Sequence, residues 1–178
     1  MIWSLSAVRG FVGHCDDFHP DESLAHVTDK TTDTEKFFDE IVKHLPQLKA
    51  LDAARHERSS EVSTGILRER RGGDIILRGI GMSILARAYL YCIEHHVIFS
   101  HMAKKLAAVD WHVLKIERSA LPQGEKYRDA VYGNANPLWA NALVVGEDHY
   151  RISSSFEVAD ASWAKIVDEH LANEAAAA

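Results

Sequence analysis

No stretch of this sequence is apolar for anything near the ~20 residues that a membrane-spanning helix requires; runs such as 75–77 and 97–99 are far too short. The segment from Met1 to Arg9 is briefly apolar, but it lacks the basic lead and the full apolar core with cleavage site of a secretory leader. These absences set the expectation of a soluble, cytoplasmic chain with no membrane partner. Cysteine is scarce as well. Cys15 and Cys92 are the only two and lie far apart, so no disulfide framework organises the fold and both are read as reduced thiols. A basic excess is missing too: 20 Lys and Arg face 26 Asp and Glu, for a formal net charge of -6. That balance opposes general adhesion to nucleic acid, and any such contact has to come from a local basic patch.

What is present suffices for a core. Hydrophobic residues make up 47% and charged residues 26% of 178 positions, which are ordinary globular values, and a chain of this length buries roughly 70% of the surface it exposes when unfolded. No internal repeat or linker divides it. The expectation is one mainly α domain over residues 1–178, with a few short strands.

Along the chain, the polar stretch 16–34, with Pro20 inside it, reads as a surface loop. A helix is expected to begin near Thr34, with Thr32, Asp33 and Thr34 as competing caps, and to carry Phe37, Phe38, Ile41, Val42, Leu45 and Leu48 at helical spacing until Pro46 kinks or ends it. Residues 74–78 read as a short β-like run, and Gly79-Ile80-Gly81 leads into the most strongly periodic segment, with Ile84, Leu85, Ala88, Tyr89, Cys92 and Ile93 on one face. Ser100 is a candidate cap for a helix carrying Met102, Ala103, Leu106 and Ala107. Residues 118–133 look irregular, and turns are expected at 134–137 and 146–149. Ser154 and Glu157 have capping-box spacing before a helix whose stripe is Phe156, Ala159, Trp163, Ile166, Val167 and Leu171; residues 173–178 read as a frayed tail.

Eleven histidines invite a metal hypothesis, yet the densest group, His95, His96, His101 and His112, lacks the spacing that places two imidazoles one turn apart beside a carboxylate. No metal and no cofactor are expected. Cys15 beside His14, Asp16 and Asp17 is a poor nucleophile, because carboxylates disfavour thiolate. Trp3, Trp111, Trp139 and Trp163 sit in apolar runs and are read as core anchors rather than stacking platforms. No catalytic residue is assigned.

The most suggestive feature is Arg68-Glu69-Arg70-Arg71-Gly72-Gly73-Asp74 followed by Arg78-Gly79-Ile80-Gly81. Guanidinium groups bind phosphate in a bidentate manner, glycines let backbone amides approach an anion, and a following helix presents its positive end. Arg68, Arg70, Arg71, Arg78, Gly79 and Gly81 are therefore the candidate phosphate or DNA contacts. The block is neither a Walker loop, since the Gly-Lys-Ser/Thr ending is absent, nor a dinucleotide fingerprint, since the third glycine is missing. The competing reading is an Arg/Glu surface with a glycine turn into a core helix.

Taken in order, Leu5-Ser6-Ala7, the Phe37-Phe38 helix ending in Leu45-Pro46, the run from Leu67 to Gly81, Val109-Asp110-Trp111, Asn136-Pro137-Leu138-Trp139 and Arg151-Ile152-Ser153 resemble the C-terminal half of the DndB-like DNA sulfur modification proteins and the wider DGQHR-domain group. The similarity spans most of the chain. The motif Asp-Gly-Gln-His-Arg that names the group does not occur in it, so no family catalytic residue carries over. The resemblance implies a piece or a shortened member of such a protein: a non-enzymatic accessory or regulatory module of a bacterial phosphorothioate DNA-modification system. Its partners would be DNA, other proteins of that system, or a missing N-terminal half. The alternative is a structural or oligomerisation domain supporting that half.

Protein purified without a histidine tag is expected to carry no stoichiometric transition metal. Elemental analysis that finds about one zinc per chain would refute this reading of the histidines.

Overall fold

The computed structural model describes residues 24–50 and 73–171. The mainly α expectation holds, because helices dominate and the one sheet among the described residues is a two-stranded antiparallel pair.

Helix α1 spans Leu24–His44 and so begins well before the expected start near Thr34. The loop expected over 16–34 does not extend past Leu24, and 16–23 lie outside the described residues. The Thr, Asp and Lys residues of that first part carry no apolar stripe, and propensity differences among such residues are too small to mark a boundary. Phe37, Ile41, Leu45 and Leu48 are fully buried, as their spacing demands. Pro46 acts as expected: the helix stops at His44, and a further helical segment, 46–50, opens on the proline itself. Proline bars its predecessor from the helical region but is tolerated as a first helical residue, where its missing N–H costs nothing.

A single turn, Ile75–Leu77, with all three side chains fully buried, precedes α2 at Gly79–Glu94. The β-like run expected over 74–78 is thus corrected: only Asp74 pairs like a strand, in an isolated antiparallel bridge with His112. Ile75 and Ile76 are β-branched because they are core, not because they belong to a sheet. Helix α2 buries Ile84, Leu85, Ala88, Tyr89 and Cys92, whereas Ile93 is half exposed and falls off the face assigned to it. Burial pushes the Cys92 thiol up to about 12, which leaves it an inert core residue.

Helix α3, Phe99–Ala107, is entered from Ile98 without a side-chain cap, and Ser100 lies inside it rather than capping it. Phe37 of α1, Tyr89 of α2 and Phe99 of α3 meet with ring centroids 5.5–5.9 Å apart, a three-way aromatic contact that locks these helices together. The region 118–133 is more ordered than expected. After two single turns it forms α4, Tyr127–Gly133, which buries only Tyr127 and Val131, one helical turn apart and too sparse a stripe to be read from sequence.

Strands β1, Leu143–Val145, and β2, Tyr150–Ile152, form a hairpin around the turn expected at 146–149, with Val144 opposite Arg151. Helix α5, Phe156–Ile166, continues through a wider turn to Leu171. Its cap is Ser155, whose hydroxyl accepts from the Val158 amide at 3.4 Å; the cap thus lies one residue past the expected Ser154, and with Val158 in the third helical position no capping box forms. Phe156, expected in the buried stripe, is consequently exposed. Helix α5 runs alongside α2 in the same direction: Gly79 lies near Ser154, Arg87 pairs with Asp160, and Tyr91 meets Trp163 edge to face.

Gly81 fixes how α2 sits on the turn before it. A Cβ there would lie 2.5 Å from the Ile75 carbonyl oxygen and 2.6 Å from the Ile76 Cα. Gly81→Ala would gain about 1 kcal/mol of helix propensity but meets immovable backbone, and overpacking of this kind costs about 1–3 kcal/mol. The denaturant midpoint is expected to fall. Gly79→Ala, whose Cβ would make an ordinary 3.6 Å contact with Ser154, should not lower it; a midpoint raised by Gly81→Ala would overturn the packing argument.

Candidate functional site

The irregular segment after α3 is held by backbone hydrogen bonds on both sides. On one side the Ile75 amide donates to the Trp111 carbonyl at 2.9 Å, and the Val113 amide to the Gly73 carbonyl at 3.0 Å. On the other the Lys115 amide donates to the Asn134 carbonyl at 2.8 Å, and the Asn136 amide to the Val113 carbonyl at 2.9 Å. Isolated bridges, Asp74 with His112 and Leu114 with Ala135, record the same two alignments.

Asn136, buried at 7% exposure, is the clamp. Its side-chain amide donates to the Asp110 carbonyl, the Asp110 carboxylate and the His112 carbonyl at 3.0–3.3 Å, while its side-chain oxygen accepts from the Leu138 amide at 3.0 Å. Trp139, fully buried, donates its indole N–H to the Asp110 carbonyl at 2.7 Å and stacks on Trp111 with centroids 5.3 Å apart. Trp111 in turn donates to the Leu106 carbonyl at the end of α3. Both indoles are core anchors, as expected; Trp163 is half-buried, and Trp3 lies outside the described residues.

This clamp presents a polar cleft of about 400 Å³, with Gly73, Asp110, His112, Lys115, Arg118 and Tyr150 on its walls. The His112 ring stands between two carboxylates, with Nε2 3.4 Å from Asp74 Oδ1 and Nδ1 3.3 Å from Asp110 Oδ1. Asp74 is buried and Asp110 exposed. Across the cleft the Arg118 guanidinium lies over the Tyr150 ring, 5.0 Å from its centroid. Burial raises the Tyr150 hydroxyl above its ordinary range, and the nearby charges of Arg118 and Arg78 oppose that shift. Among the described residues no serine, threonine or cysteine lines the cleft.

Compared with protein-family models, curated proteins and solved structures, the chain matches none.

Of the residues singled out from sequence, Arg68, Arg70 and Arg71 lie outside the described residues, as do Cys15 and its neighbours. Arg78 is the half-buried residue that opens α2, and its field reaches Tyr150 on the cleft wall. Gly79 is half-buried and Gly81 buried, so the Gly81 backbone faces the turn 75–77 rather than solvent. Gly73, the last residue of the Arg-Gly-Gly run, lines the cleft. Among the described residues no group of three His, Cys, Asp or Glu side chains converges in a way that could hold a metal ion. His95, His96 and His101 are exposed and stand apart from the cleft.

As cleft residues, sequence reasoning missed Asp74, Asp110, Lys115, Arg118, Asn136 and Tyr150, and it weighed His112 only as a metal ligand. The available signal was the pair Asp110-Trp111-His112 and Asn136-Pro137-Leu138-Trp139, two tryptophans each beside a polar residue that can serve their indole or their loop. Asn136→Ala leaves the buried Leu138 amide without its acceptor and is expected to cost about 2 kcal/mol. Asn134→Ala, which removes a bond only to the Ala130 carbonyl in its own turn, should cost less than about 1 kcal/mol. Chemical denaturation of the two variants side by side tests this, and equal destabilisation would mean that Asn136 is not the clamp.

Proposed function

We propose that this chain is a non-enzymatic accessory module of a bacterial DNA-modification system, and that it contacts nucleic-acid phosphates where the Arg68 to Gly73 block meets the cleft. The DNA-modification context rests on the sequence resemblance. The binding part is supported by one observation: Gly73 lines the same cleft as Lys115 and Arg118. The charge of Arg78, at the start of α2, also acts on Tyr150. Positive charge from separate parts of the sequence, Lys115 and Arg118 on the cleft and Arg78 near it, thus acts at this rim of a molecule whose overall charge is negative, the local patch that phosphate contact requires.

The structural or oligomerisation reading is favoured by a different feature. Leu90, Ile93 and Ile98 are 37%, 47% and 72% exposed along the end of α2 and the approach to α3, an apolar strip suited to a protein partner.

Fluorescence anisotropy with a labelled duplex at several salt concentrations separates the two. Removing a side chain that neutralises one phosphate should reduce the slope of log affinity against log salt by about 0.9. Replacing Arg70 and Arg71 together by Ala is therefore expected to flatten the slope and to weaken unrelated sequences alike, since cations on phosphates do not read bases. Absence of duplex binding at low salt, or an unchanged slope in the double variant, would remove the rim from the functional account.

A further inference from the structure

The cleft beside this rim is the size of a single nucleotide. Its volume of about 400 Å³ falls toward the lower end of the ~300–1,000 Å³ typical of small-molecule sites, too small to admit a duplex. We propose that it seats one nucleotide bearing a terminal phosphomonoester, either the end of a DNA strand or a free nucleoside monophosphate. This rests on the reading that the rim binds nucleic-acid phosphate.

Three features of the walls carry the proposal. First, Lys115 and Arg118 have no carboxylate partner among the described residues; Arg118 has only the Tyr150 face beneath it. Two unpaired cations close to each other in sequence and on one wall suit a group with several terminal oxygens. A phosphomonoester carries about -1.5 to -2 charges and three such oxygens, whereas a backbone diester carries one charge and has chain leaving on both sides. Second, the stem of the wall is apolar: Leu114 is buried and Ile116 half-buried, a surface for a sugar or a base edge. Third, the carboxylates of Asp110 and Glu117 also line the cleft and can accept hydrogen bonds from sugar hydroxyls and base amino groups. The cleft therefore offers both cations for the phosphate and acceptors for the nucleoside.

Isothermal titration of the whole chain with four probes tests this: a short single strand carrying a 5′-phosphate, the same strand with a 3′-phosphate, the same strand without either, and a free deoxynucleoside monophosphate. At least one phosphorylated strand is expected to bind about tenfold or more tightly than the unphosphorylated one, and Lys115→Ala and Arg118→Ala are each expected to lower that affinity roughly tenfold or more, as for removal of a charged hydrogen bond. Lys115 is exposed, so its replacement leaves the fold intact even if loss of Arg118 disturbs Tyr150. Binding of the free monophosphate as well would assign the site to the nucleotide alone; binding of phosphorylated strands only would assign it to strand ends. Equal affinity for phosphorylated and unphosphorylated strands, or affinity untouched by Lys115→Ala, overturns the proposal while leaving duplex binding by the rim standing. Tight binding of a monophosphate with no duplex binding would sink the rim reading instead.

Discussion

The carbonyl oxygen of Asp110 accepts from the Trp139 indole at 2.7 Å and from the Asn136 side chain at 3.3 Å, and the shape of the cleft depends on that junction. A backbone carbonyl drawn into a core must be satisfied there, since an unmade buried hydrogen bond costs more than a made one contributes. Satisfying it with two side chains from residues 136–139 joins segments far apart in sequence. Asp110, His112 and Lys115 are then carried into place on an extended stretch that has little regular structure of its own. Over 110–113 the side chains alternate, Trp111 and Val113 turning into the core while Asp110 and His112 stay exposed; past the buried Leu114 the bent chain exposes Lys115.

The helical frame supplies the rigid backing. Phe37, Tyr89 and Phe99 tie α1, α2 and α3 into one unit, and Gly81 lets α2 rest on the backbone of 75–77 at a distance no other residue permits. That turn is joined directly to Asp74 and Gly73, so the seat of α2 and one wall of the cleft are a single structural unit. The Arg87–Asp160 pair and the Tyr91–Trp163 contact hold α5 against the far side of α2. Burial of this helical framework, rather than the exposed ion pairs, dominates its stability, because pairs of surface charges contribute little.

The glycines of the Arg-rich block show how one residue type serves different ends. Read from sequence, Gly79 and Gly81 suggest a loop that admits an anion. In the structure Gly81 is buried, and the room left by its missing side chain is filled by protein backbone, so close packing alone accounts for it. Of the same block it is Gly73 that lines the cleft. His96 is another case: it follows the end of α2 with a φ of 54°, a conformation usually left to glycine or asparagine, and so the sequence carried no stop signal at that point.

Much of the helical content was determined by the sequence alone, because a dense apolar stripe at helical spacing has only one economical way to be buried. Phe37 to Leu48, Ile84 to Cys92 and Met102 to Leu106 follow that rule, and Pro46 marks its boundary through steric effects that act on neighbouring residues only. Where local signals compete, tertiary packing decided: the cap settled on Ser155 rather than Ser154, Phe156 and Ile93 were left outside the core, and Ile75–Leu77 became a buried turn instead of a strand. The cleft belongs wholly to this second class. Asp74, His112, Arg118, Asn136 and Tyr150 are dispersed along the chain and share no periodicity, so nothing in their spacing could bring them together. Only the burial of two tryptophans, and the need to satisfy the polar backbone drawn in with them, places them around one space.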